Sequence, residues 1–89
     1  MPLVNYSAIK QSTLDSLKRY AEQRIPTGGF LEAVLSNDLM EACARADDEN
    51  AIALFHIAAY IYNELPHNCH GSRAKVKAWL AKEPERGAR

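Results

Sequence analysis

The residues best placed to hold a ligand are Gly28 and Gly29, in the run Ile25-Pro26-Thr27-Gly28-Gly29-Phe30-Leu31. One helical pattern stops at the proline and another starts at the glycines. The first N–H groups of a helix lack intrahelical partners and sit at the positive end of its dipole. Glycine leaves them bare, with no Cβ to keep an anion away, as in phosphate cradles at helix starts. Arg24 would add a charge-assisted contact. Thr27 would offer a hydroxyl, Asn37 a side-chain amide and Phe30 a ring to stack on a base. A nucleotide-hydrolysing loop needs Lys-Ser/Thr after its second glycine, and Phe30-Leu31 stand there instead. The competing reading is a plain helix–helix turn in which Gly28 or Gly29 takes a positive φ.

His67, Cys69 and His70 also have types that can do chemistry. Zinc sites use spaced pairs and four ligands. Adjacent Cys69 and His70 point apart, and the fourth ligand would have to come from Cys43 or His56, so no metal is expected. Cys43 with His56 lacks any flanking signature of a Cys–His nucleophile. His56 reads as a hydrogen-bonded core histidine. With no acid–base pair, metal triad or cofactor motif, the expectation is a protein that is not an enzyme and has no cofactor.

The elements that must position these residues are helical. Tyr6, Ile9, Thr13, Leu17, Tyr20 and Arg24 recur at helical spacing, which predicts a first helix from about Ser7 to Arg24 with Ser7 or Ser12 as its N-cap. A second runs from the diglycine to about Ala46, with a kink or restart at Ser36-Asn37-Asp38, where short polar side chains compete for backbone hydrogen bonds. Asp47, Asp48 and Glu49 start a third helix, as the dipole favours. Its body, Ala51 to Asn63, carries no formal charge. A helix apolar all round is buried all round, so helix three is expected at the centre of the fold or at a subunit interface. Ser72 caps a last helix to about Ala81, with Val76, Trp79 and Leu80 inward. Pro84 stops it, and 82–89 reads as a frayed tail. The expected fold is all-α, a compact bundle of about four short helices in one domain over 1–89.

Composition narrows the function classes. The 89 residues are 47% hydrophobic and 25% charged with zero formal net charge. That is ordinary globular composition and gives no general attraction to nucleic acid or an anionic membrane. No apolar run is long enough to span a bilayer, and the first residues lack the order of a signal peptide. Two cysteines are too few for a disulfide scaffold. A cytoplasmic setting is expected. Charge is uneven: Glu32, Asp38, Glu41, Asp47, Asp48 and Glu49 crowd the middle, whereas Arg73, Lys75, Lys77 and Lys82 lie near the end. These regions could attract each other within a chain or between chains.

Ile25-Pro26, Gly28-Gly29-Phe30-Leu31, Ala33-Val34-Leu35, Asn37-Asp38-Leu39, Tyr60, Tyr62-Asn63, Pro66 and Gly71-Ser72 resemble the pattern of a group of short proteins from tailed phages and prophages. The likeness spans about half the chain, and the resembling proteins carry an aromatic residue where His70 stands. It implies a phage origin and an intracellular, host-cell setting and brings no activity with it; small phage proteins of this size often act on host defence. The expected function is non-enzymatic binding of an anionic small molecule, a nucleotide-type immune signal, by Arg24, Thr27, Gly28, Gly29, Phe30 and Asn37, in a self-associating protein. The alternatives are an inhibitor that covers a host defence protein with the acidic segment 32–49, and a small DNA-binding regulator using the basic last helix.

Overall fold

The computed structural model describes residues 3–82. Six α-helices follow one another: α1 (Gln11–Gln23), α2 (Gly29–Leu35), α3 (Leu39–Arg45), α4 (Asp48–Ile52), α5 (Leu54–Glu64) and α6 (Arg73–Ala81). Short 3-10 turns stand at Tyr6–Ala8 and His67–Cys69. The fold is an all-α compact bundle, as expected, but with six helices among the described residues in place of about four. Two expected helices are each divided in two.

The first division lies at Ser36-Asn37-Asp38. Asn37 takes a left-handed conformation with φ 62°, which Asn tolerates better than most residues. The Asp38 carboxylate then accepts the Glu41 N–H at 3.3 Å and starts α3. The second division is milder. Ala53, with φ −91° and ψ 4°, separates α4 from α5. Asp47 caps α4 by accepting the Asn50 N–H at 2.8 Å, and Ser72 caps α6 by accepting from Lys75 at 3.1 Å.

The beginning of α1 differs from expectation. Neither Ser7 nor Ser12 caps it: the helix starts at Gln11, behind Lys10, which makes no side-chain cap. The cause is local competition. The Asn5 carboxamide oxygen accepts both the Ser7 N–H and the Ser7 hydroxyl, closing a separate 3-10 turn. Extended backbone at Ile9 and Lys10 then resets the chain. The helix ends at Gln23, and Arg24 turns left-handed at φ 57° with its N–H returned to the carbonyls of Arg19 and Tyr20.

Leu17, Tyr20, Leu35, Ile57 and Cys69 are the largest fully buried side chains. They join α1, α2, α5 and the second 3-10 turn into one core. Full burial of a residue such as Ile57 contributes roughly 1.5–3 kcal/mol. The amino-terminal segment covers one flank of α5, where Tyr6 meets Tyr60 edge-on at 5.0 Å and donates to Glu64 at 3.1 Å. α5 is nevertheless not buried all round. It buries Ile57, Ala59 and Ile61, whereas Phe55 is 50% and Tyr62 62% exposed. A domain this small has too few other elements to cover every side of one helix.

Candidate functional site

The start of α2 is exposed at both glycines and charge-balanced. Gly28 has φ −76° and ψ 177°, and Gly71 is the only described glycine with a positive φ. The turn between α1 and α2 therefore does not draw on the left-handed freedom of Gly28 or Gly29; Arg24 supplies that conformation. A Cβ on Gly29 would lie 2.9 Å from Arg45 Nη1, so the Arg45 side chain rests on the helix start while pairing with Glu41. The hollow there is lined by Gly29, Glu32, Glu41, Arg45 and Arg73. Two carboxylates offset two guanidinium groups, and no net positive field faces an anion.

The other expected ligand-binding residues lie elsewhere. The Arg24 guanidinium sits 3.6 Å from the centroid of the Trp79 ring, and its Nη1 donates to the Trp79 carbonyl at 3.1 Å. The Thr27 hydroxyl donates to the Gly28 carbonyl at 3.1 Å. Gly28 and Phe30 line a shallow hollow with Lys10, Thr13 and Asn50. Asn37 is on a different face. The six residues are not gathered around one cavity.

The His67–His70 turn is mainly structural. The Tyr20 hydroxyl donates to the Cys69 carbonyl at 2.6 Å, and burial pushes the Cys69 thiol up to about 11. His67 stacks on Tyr62 with centroids 6.0 Å apart and meets His70 edge-on. Burial first, then His67 and Lys75, hold the His70 imidazole below its ordinary value; its Nε2 is buried without a hydrogen-bond partner. Among the described residues no three His, Cys, Asp or Glu side chains are grouped to hold a metal. His56 Nδ1 accepts the Asn5 N–H at 3.1 Å, which ties the amino-terminal segment to α5. Cys43 is exposed on α3, and no hydrogen bond joins it to His56 among the described residues.

The uneven charges meet partly within the chain. Arg73 donates to Asp38 at 2.7 Å and lowers its carboxyl below the ordinary carboxylate value. The Asn50 N–H, then Lys10, lower Asp47 in the same way. These pairs are exposed and contribute little each.

The surface with the strongest claim to function was not singled out residue by residue in the sequence. Leu39, Ala42, Leu54, Phe55 and Ala58 line a groove of about 320 Å³ between α3 and α5. Val34, Asn37 and Ala58 continue into a second groove of about 490 Å³, which ends at Tyr62, His67, His70 and Lys75. Leu39, Met40, Ile52, Phe55 and Tyr62 are all half or more exposed. The one signal in the sequence was the missing charge between Ala51 and Asn63. Spacing alone did not say which side of that segment would stay uncovered. No helix among the described residues is long and apolar enough to cross a membrane. No protein-family model, curated protein or solved structure matches the chain.

Proposed function

We propose that this chain works by binding, not by catalysis, and that its working surface is the apolar face of α3 and α5, which takes a protein partner. The observation that carries this reading is that exposed Leu39 and Phe55 line one apolar groove, which continues past Val34 and Ala58 to exposed Tyr62. Scattered apolar side chains are normal on a protein surface, but a contiguous patch rimmed by polar groups marks an interaction site. The polar groups at the edge of this groove are the Asn37 amide and the Asp38 carboxylate, which is paired with Arg73. Leu39 and Met40 are exposed apolar residues within segment 32–49, the segment expected to cover a partner. A photo-reactive residue at position 55, activated in cells, should form a protein adduct. The same residue at position 23, on exposed α1, should not. Equal labelling at both positions would remove the surface from consideration.

A second reading keeps the anionic small molecule and moves its site. The groove ending at Asn37, Tyr62, His67 and Lys75 offers an amide, a stacking ring and a cation to a nucleotide-like ligand. Mass spectrometry of the purified protein tests this. A nucleotide retained by the wild type and lost in Lys75→Ala supports it, and a ligand-free protein that binds no added nucleotide refutes it. The DNA-binding alternative draws less support, because Arg73 is tied to Asp38 and Lys75 lies in the groove.

A further inference from the structure

We infer that the partner on this face is a second copy of the chain, paired two-fold and antiparallel through α4 and α5. This inference rests on the binding-surface reading above and names its occupant. The exposed stripe is Ala51, Phe55, Ala58 and Tyr62. Its spacing is four, three, four, and it reads the same in both directions. That spacing fits an isologous two-fold contact, in which each residue meets a position that meets it in return. With the axis midway between Phe55 and Ala58, Phe55 of each copy faces Ala58 of the other, and Ala51 faces Tyr62. Every pair joins a large side chain to a small one, so the ridge of one helix enters the gaps of the other.

Charge complements the same register. Asp48 lies one turn before Ala51, and Lys75 and His67 lie beyond Tyr62, in the groove that Tyr62 lines. Among the described residues neither Asp48 nor Lys75 is in an ion pair. Antiparallel pairing brings Asp48 of each copy toward Lys75 of the other, twice per dimer, while Glu64 near the same end accepts the Tyr6 hydroxyl within its own chain. Parallel pairing would set like charges together.

Sedimentation velocity on the full chain at micromolar concentration tests the inference, with circular dichroism melts on the same samples to confirm folding. The expected result is a dimer for the wild type. Ala58→Glu, at an exposed position, should melt like the separated wild-type chain but sediment as a monomer. Phe55→Ala should weaken the dimer about tenfold or more, as removal of an interface anchor does. The exchange Phe55→Ala with Ala58→Phe restores a large–small pair at each contact and should recover the dimer. A monomeric wild type, or a dimer that survives Ala58→Glu, overturns the inference, as does a double exchange no better than Phe55→Ala alone. A monomer that still gives an adduct of another protein from position 55 refutes self-pairing and leaves the surface reading standing. A monomer with no adduct refutes both.

Discussion

Arg24 and Trp79 hold α1 and α6 together: the guanidinium lies over the indole at 3.6 Å and donates to the Trp79 main-chain carbonyl at 3.1 Å. The indole N–H in turn donates to the Tyr20 carbonyl at 2.9 Å, one turn before the end of α1. Arg24 is therefore a structural residue joining two helices that are distant in sequence. Arg24→Ala should lower stability by about 1–2 kcal/mol, from the lost stacking and hydrogen bond. Arg24→Gly should lose less than Arg24→Ala, because glycine adopts the left-handed backbone at φ 57° without strain. Thermal or urea melts of the three proteins give the order directly, and equal losses would mean that backbone strain at Arg24 is negligible.

The glycines can be ranked in the same way. Nothing lies within 4 Å of a Cβ added to Gly28, and its φ is negative, so Gly28→Ala meets no clash or strain and should cost only the preference for glycine over alanine at this N-cap, about 0.5–1 kcal/mol. Gly29→Ala meets the far end of the flexible Arg45 side chain; it should stay folded and displace Arg45. Gly71, at φ +116°, should be the sensitive one, with Gly71→Ala costing roughly 1–3 kcal/mol. A Gly28→Ala variant less stable than Gly71→Ala would contradict this backbone account.

Asn37 offers a test of the break between α2 and α3. Asn37→Gly should be close to neutral, and Asn37→Val should cost about 1–2 kcal/mol, since a β-branched residue resists φ 62°. If Asn37→Val melts like the wild type, the two helices can join without penalty and the break is not set at this residue.

Acid should destabilise the protein in two stages. The His70 imidazole is held below its ordinary 6.5, so the unfolded chain binds a proton there that the folded chain refuses. Stability is at its full value above pH 6.5 and falls as pH drops from there toward the folded value. Asp38 and Asp47, held below 3.8, add a second decline below that pH by the same sign. His70→Phe should remove the first stage. It should also raise stability at neutral pH by about 1 kcal/mol, because it replaces the partnerless buried Nε2 with carbon. Melts across pH 3–8 measure both, and an unchanged first stage in His70→Phe would place that proton elsewhere.

Much of the helical layout could be read from the sequence because the interactions that set it are local. Asp47 and Ser72 cap helices by reaching three residues ahead, and Ser36-Asn37-Asp38 breaks a helix with its own side chains. Local reading failed at Ser7, where Asn5 offered a nearer acceptor. Apolar periodicity placed Leu17, Tyr20, Val76 and Trp79 inward, and all are buried, with Leu80 partly so. The candidate site was not legible in this way. Arg24 and Trp79 are far apart in the chain, as are Gly29 and the Arg45 side chain that lies beside it, and no three- or four-residue period encodes such meetings. The uncharged run from Ala51 to Asn63 determined that α5 would be apolar on every side. Only the packing of the amino-terminal segment, α1 and α2 against it decided that Phe55, Ala58 and Tyr62 would remain in water, because the limited surface of the other helices covers Ile57 and Ile61 first.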